Sequence, residues 1–106
     1  MDARILLCGA IIFEVIGTTL MKLSNGFTVL VPSIFMIITY SISFASLTLC
    51  LRKMEVTIAY AIWSAVGTVL IAIVGALFFG ENMSLSKIVC LLIIILGVIG
   101  LNFTDD

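Results

Sequence analysis

Four long apolar runs, separated by short polar segments, make up almost all of this chain. Residues 23–51, 56–80 and 88–104 contain no Asp, Glu, Lys or Arg, and residues 5–21 contain only Glu14. A helix that crosses a bilayer needs roughly 20 mainly apolar residues. The pattern therefore predicts four transmembrane helices. They are expected near residues 4–22, 30–51, 57–79 and 86–104.

The polar segments between the runs carry turn and helix-boundary signals. The SNGFT segment contains an Asn-Gly turn signal, and Pro32 follows in the first turn of the second span, where its missing N–H is harmless. In the GENMS segment, Gly80 is a predicted helix stop and Ser84 a predicted N-cap. The separators therefore agree with the four-span division.

The composition indicates that the solvent of this chain is a membrane. Hydrophobic residues make up 63% of it and charged residues 10%, with a mean hydropathy of +1.41. Soluble domains carry about 25% charged residues, so this chain has too few charges to cover a water-facing surface. A transmembrane β-barrel would show short alternating segments, whereas these runs are continuously apolar. We predict an all-α membrane protein with a single four-helix transmembrane domain over residues 1–106.

Cysteine and histidine usage argues against metal or redox chemistry. Cys8, Cys50 and Cys90 lie in three different spans, and the chain has no His and no C-x-x-C motif. Lone cysteines in apolar runs usually behave as small hydrophobic residues. We predict no disulfide, metal or cofactor site, no catalytic residues and no nucleic-acid partner. Glu14 interrupts the first run and no A-x-A cleavage site follows it, so this run is interpreted as a helix rather than a signal peptide.

Glu14 lies in the apolar stretch IIFEVIGTTLMK, about ten residues into the first span. At about 1.5 Å per residue this places it near the bilayer midplane, about 15 Å deep. A charge there costs at least about 2.5–3.5 kcal/mol, and intramembrane acids are therefore rare and usually functional. Burial disfavours the charged form, so we expect this carboxylate to bind and release protons. A permanently protonated, structural Glu14 is the alternative.

Residues three, four and seven positions from Glu14 share its helix face. Three of them, Ala10, Gly17 and Thr18, are small, which predicts open space beside the carboxylate and a role in substrate binding. Close helix packing is the alternative role of such small residues.

An aromatic stripe in the third span supplies the predicted walls of this space. Residues at relative positions 0, 3, 4 and 7 lie on one face of that helix: Tyr60, Trp63, Ser64 and Gly67. Tyr40 and Ser43 form a similar pair on the second span. Aromatic faces beside a carboxylate attract bulky organic cations, quaternary ammoniums above all. Interfacial aromatic belts are the alternative, but Trp63 lies seven residues inside its span.

The basic residues leave the orientation in the membrane undecided. Arg4, Arg52 and Lys53 fall on one side, and Lys22 and Lys87 on the other. Because cytoplasmic loops normally carry a clear excess of Lys and Arg, three against two predicts insertion in both orientations. Two opposite copies could then pair and share one pocket with two Glu14 side chains.

The fourth span contains no charge between residues 88 and 104 and no aromatic wall, but carries Gly97 and Gly100. Small residues in a transmembrane helix allow close helix–helix contact. This span is therefore predicted to pack between protomers.

The chain resembles the small multidrug resistance transporters. The resemblance rests on FEVIGTTLMK around Glu14, on SNGFT with Pro32, and on AYAIWS in the third span, and it covers essentially the whole chain in order and spacing. It implies an antiparallel, dual-topology homodimer that exchanges protons for organic cations across the bacterial inner membrane. It also implies that Glu14 binds both protons and substrate, and that Tyr40, Tyr60 and Trp63 bind the substrate.

Two positions match one branch of that family. Gly17 and Thr18 agree with the quaternary-ammonium branch, whereas the guanidinium-exporting branch usually has Trp at the position of Gly17. The predicted function is therefore proton-coupled export of lipophilic and quaternary ammonium cations. A guanidinium or polyamine exporter of the same family, or one subunit of a paired heterodimeric transporter, is the alternative.

Two departures from the family pattern concern the third and fourth spans. The usual Gly-Val-Gly after WS begins here with Ala65, which leaves Gly67 as the predicted conformational hinge. The fourth-span dimerisation stripe often begins with Gly where this chain has Cys90, while Gly97 is retained for dimer packing.

Two other classes with buried polar groups fit the sequence less well. A rotor-ring proteolipid also buries one carboxylate, but its repeated G-x-G-x-G helix is absent here. A passive cation pore would need polar lining on several helices, which these spans do not provide.

Overall fold

The structure, a computed structural model, describes residues 2–104, and this range forms four α-helices. Each is long and apolar enough to cross a membrane, and each begins and ends within one residue of its predicted span. The prediction of an all-α, four-span protein is confirmed. The helices are α1 (Ala3–Leu23), α2 (Leu30–Cys50), α3 (Val56–Phe78) and α4 (Leu85–Phe103).

The helix ends use local hydrogen bonds and left-handed backbone conformations. Ser84 caps α4 as predicted, since its side chain accepts the backbone N–H of Lys87 at 3.2 Å. The α1–α2 connection turns through Asn25 and Gly26, whose φ angles are 48° and 68°. Gly80, with φ 63°, reverses the chain directly after α3. These turns keep the loops short and the helices antiparallel.

The packing centres on α1, which contacts both α2 and α3, whereas α4 packs against α3. Within the described residues, α4 has no buried residue. The core is a cluster of buried apolar side chains in which α1 contributes the most members. They are Ala3, Leu7, Ala10, Ile11, Leu47, Cys50 and Ala59.

The α1–α2 contact is close because small residues line it. Ala10 and Ser43 are both fully buried, and the Ser43 hydroxyl donates to the backbone carbonyl of Ala10 at 2.6 Å. Gly17 lies further along the same contact, where a Cβ would be 3.1 Å from both Thr39 Oγ1 and Tyr40 Cδ1. Transmembrane helices associate through this combination of small residues and interhelical hydrogen bonds.

The Ser43–Ala10 hydrogen bond gives a prediction about stability. We expect Ser43→Ala to lower the free energy of unfolding by about 0.5–1.5 kcal/mol, since it removes one buried interhelical hydrogen bond. Ser41→Ala is the matched control, because Ser41 is exposed and donates within its own helix to the Ile37 carbonyl. Unfolding would be followed by circular dichroism during titration of the detergent-solubilised protein with sodium dodecyl sulfate. Equal stabilities for the two variants would contradict the prediction.

Candidate functional site

A cavity of about 220 Å³ lies between α1 and α3. Two of its lining residues come from α1 and the others from α3, and they surround the Glu14 carboxyl group. They are Glu14, Thr18, Trp63, Ser64, Gly67, Thr68 and Ile71. The cavity therefore has walls from two helices only.

One oxygen of Glu14 is held by a short chain of hydroxyl groups. Thr18, one helical turn further along α1, donates to Glu14 Oε1 at 3.1 Å. The Thr18 oxygen also forms a hydrogen bond with the Tyr40 hydroxyl from α2. Either hydroxyl can donate in this second bond. The chain joins α1 to α2 and fixes the orientation of the carboxyl group.

The other oxygen of Glu14 faces α3 at Gly67. A Cβ at Gly67 would be 2.7 Å from Glu14 Oε2, which is too close for any larger residue unless the carboxyl group moves. Gly67 is itself buried. Because Gly67 has no side chain, Glu14 Oε2 can lie directly against α3 at this position.

Two polar atoms of this region are buried without a hydrogen-bond partner among residues 2–104. They are Glu14 Oε2 and Trp63 Nε1. Buried polar groups in native proteins nearly always have a partner, and an exception calls for an explanation such as a bound molecule. Both residues line the cavity, so the unpartnered oxygen belongs to a side chain of its wall.

Aromatic rings connect the cavity to α2 and to the outer surface of α3. The ring centroids of Tyr40 and Phe44 are 6.1 Å apart, and those of Phe44 and Trp63 are 5.8 Å apart. Tyr60 meets Trp63 edge-on at 5.5 Å, while 57% of its surface is exposed. A carboxyl group beside such rings can bind an organic cation through charge and through the negative ring faces.

The structure brings part of the predicted site together. Glu14, Thr18, Trp63, Ser64 and Gly67 all line the cavity. Tyr40 reaches it through Thr18, and Tyr60 through the Trp63 ring. Glu14 and Trp63 thus lie on facing helices, as their positions in the first and third spans predict.

Three predicted substrate-binding residues lie elsewhere in this structure. Ala10, Gly17 and Ser43 form the α1–α2 contact, outside the lining of the cavity. The reason is that α2 packs on the small-residue face of α1, and this contact occupies the space that their size predicts. Their contact with substrate stays a prediction.

Three residues of the site were not identified from the sequence. Thr68 and Ile71 line the cavity, and they continue the Ser64 stripe by four and seven residues. Phe44 joins Tyr40 to Trp63, and it lies one helical turn after Tyr40. Extending each stripe by a further turn would have found all three.

The sequence profile of one protein family, described as "Small Multidrug Resistance protein", matches residues 3–94 of the chain. Individual relatives match over nearly the full length. The multidrug transporter EmrE of Escherichia coli is 49% identical over 102 residues, which cover 96% of this chain and 93% of EmrE.

Two further relatives extend the comparison to other bacteria. The membrane protein YvaE of Bacillus subtilis, described as uncharacterized, is 50% identical over 101 residues, which cover 95% of this chain and 85% of YvaE. The multidrug resistance protein mmr of Mycolicibacterium paratuberculosis is 44% identical over 100 residues, covering 93% of this chain and 92% of mmr.

The contact between Glu14 and Gly67 gives a prediction about cation affinity. We expect Gly67→Ala to weaken binding of a quaternary ammonium cation by about tenfold, since the new methyl group displaces the carboxyl group and a loss of about 1.4 kcal/mol in its attraction for the cation is a factor of ten. Gly9→Ala is the matched control, because a Cβ there would meet only Ser46 Oγ at 3.9 Å. Titration calorimetry in detergent measures both affinities. Unchanged affinity in Gly67→Ala would show that the carboxyl group can move without loss.

Proposed function

The chain belongs to the small multidrug resistance family, and from this premise we propose that it exports lipophilic and quaternary ammonium cations in exchange for protons. It is a multi-pass protein of the bacterial inner membrane. EmrE and mmr, which share 49% and 44% of their aligned residues with it, are named for multidrug transport and resistance. Their names support efflux of several compounds rather than of one.

The observation that carries the proposal is the different surroundings of the two oxygens of the Glu14 carboxyl group. One oxygen accepts from Thr18, and the other is buried without a protein partner among residues 2–104, at a cavity whose lining includes Trp63. A proton on Oε2 or an organic cation beside it would each compensate the negative charge of the carboxylate. Either ligand neutralises the carboxylate, which is costly to keep charged at this depth.

Exchange follows from competition at this carboxyl group. A bound cation requires the charged carboxylate, whereas protonation removes the charge that attracts the cation. Protons arriving from one side therefore release the substrate there. No other acid lies within the four helices to bind a proton independently. The Glu14 carboxyl group thus couples the movement of protons to the movement of the cation.

A second copy of the chain supplies the missing walls in this proposal. The cavity is lined by α1 and α3 alone, Tyr60 next to it is 57% exposed, and α4 has no buried residue among those described. An antiparallel homodimer would enclose the substrate between two such faces with two Glu14 side chains. Packing through Gly97 of α4 would hold the pair, since a Cβ there meets nothing within 4 Å in the single chain.

Glu14→Gln is the direct test of coupling. We expect it to abolish transport of N-butylpyridinium driven by a pH gradient in liposomes, since the amide can neither release a proton nor carry the countercharge. Glu55→Gln is the matched control, because it removes the same charge at the start of α3, outside the helices. Gradient-driven export by Glu14→Gln would overturn the proposal.

Dual topology gives a second test within this proposal. Arg4, Arg52 and Lys53 lie at one end of the bundle, against Lys22 and Lys87 at the other. We expect two lysines added at the first end, Thr57→Lys and Thr104→Lys, to give that end a clear excess of basic residues. This excess should fix one orientation in the membrane and reduce transport. Both positions are exposed. Labelling of a single loop cysteine from each side of the membrane reads the orientation.

Rescue by an oppositely biased partner is the control for this experiment. Thr28 and Asn82 lie at the other end and are also exposed. Thr28→Lys and Asn82→Lys, combined with Arg52→Gln, place the excess of basic residues at that end instead. Co-expression of the two biased variants should restore transport that neither supports alone. One-sided labelling of a fully active single-cysteine protein that carries none of these charge changes would contradict dual topology.

A further inference from the structure

A second carboxyl group repeats the arrangement of Glu14 at the end of α3. Gly80 reverses the chain with φ 63°, and the backbone N–H of Glu81 then bonds to the Gly75 carbonyl at 3.0 Å. The Glu81 side chain folds back over the buried Gly75, where an added Cβ would overlap Glu81 Oε1. Each of the two carboxyl groups thus lies over a glycine of α3.

Glu81 lines a cavity of its own between α1 and α3. The cavity has a volume of about 140 Å³, and its lining includes Thr19, Lys22, Gly75 and Glu81. Glu81 is exposed, so this cavity lies at the loop end of the bundle. Its volume suits one ammonium-sized group rather than a whole drug-sized molecule.

The cavity lined by Glu81 (the Glu81 cavity) adjoins the cavity of about 220 Å³ lined by Glu14 (the Glu14 cavity). Thr18 and Ile71 line both. Gly67 and Gly75, which mark the two carboxyl groups, are eight residues apart on α3, or about 12 Å along the helix axis. A cation that leaves the Glu81 cavity toward the membrane centre therefore passes Thr18 and next meets Glu14.

The charges at the Glu81 cavity favour a cation. Among residues 2–104, the Glu81 carboxylate has no hydrogen bond or ion pair, and it follows the C-terminus of α3, which carries partial negative charge. Lys22 lines the same cavity and opposes this field, while the Lys87 ammonium group is engaged with the Asn82 carbonyl at 2.7 Å. Lys22 offsets part of the attraction that the Glu81 carboxylate and the helix end exert on a cation, which keeps cation binding there weak and reversible.

We propose that the Glu81 cavity is an outer, transient binding site for organic cations on their way between the loop-side water and Glu14. The inference rests on the proposed function, since it assumes that cations bind at Glu14. Glu81 would hold the charged group of a cation while its apolar part enters the Glu14 cavity past Ile71. In an antiparallel pair, each side of the membrane would have one such site.

Binding kinetics test this outer site. Trp63 is the chain's single tryptophan and lines the Glu14 cavity, so quenching of its fluorescence by N-butylpyridinium reports arrival there. In stopped-flow mixing, we expect Glu81→Gln to lower both the association and the dissociation rate constants by about 10-fold, the low end of electrostatic steering effects. The dissociation constant should change less than twofold, because the final complex at Glu14 is unaltered.

Three further variants separate the site from a general effect of charge. Gly75→Ala keeps the charge but moves the carboxylate out of its place over α3, so it should slow both rate constants as Glu81→Gln does. Glu55→Gln removes an equal charge at the opposite end of α3 and should leave both unchanged. Glu81→Asp retains the charge and should recover part of the lost rate.

Each outcome decides between the two proposals. Unchanged rates in Glu81→Gln and Gly75→Ala, with normal wild-type binding, overturn the outer site alone. A raised dissociation constant with an unchanged dissociation rate indicates only a long-range field and also overturns it. If the wild-type protein shows no saturable quenching that depends on Glu14, the proposed function fails, and the outer site fails with it.

Discussion

The structure depends on how one carboxyl group is accommodated in an apolar bundle. Glu14 has one oxygen bonded to Thr18, which is bonded in turn to Tyr40, and these contacts tie α1 to α2 at the level of the cavity. The other oxygen lies over Gly67 of α3 without a partner among the described residues. Because an unsatisfied group in an apolar interior is costly, the position of Glu14 limits the choice of residue on both neighbouring helices.

This constraint divides α1 into two faces with different packing. Toward α2, Ala10 and Gly17 allow close contact, and Ser43 adds a hydrogen bond across it. Toward α3, the contact opens into a cavity beside Glu14. In a bilayer there is little hydrophobic drive between helices, so packing and polar contacts decide which helices associate. The α1–α2 contact is therefore closed, whereas the α1–α3 contact leaves a cavity.

Much of the fold follows from the sequence, because bilayer thickness sets the length of each span and all charges but Glu14 lie in the connections or at helix and chain ends. The site follows in part, since helical spacing alone brings Trp63, Ser64 and Gly67 onto one face. Residue spacing predicts which residues share a helix face, but not which helix packs against that face. Ala10 could therefore be assigned to the cavity, although it packs on α2. The position of Glu81 depends on a chain reversal at Gly80 and on space at Gly75, and no periodic pattern encodes such a combination.

A cavity with walls from only two helices has consequences for an exchanger. In an antiparallel pair of identical chains, the state open to one side becomes the state open to the other when the two protomers exchange conformations. The two states then consist of the same contacts, and only the membrane potential, the proton gradient and the two leaflets distinguish their free energies. An exchanger needs both states populated, and a ligand shifts such an equilibrium only by its differential affinity for the two. A different protein as the second wall would remove this equality. In the proposed exchanger, a second copy of the same chain would therefore complete the cavity around Glu14.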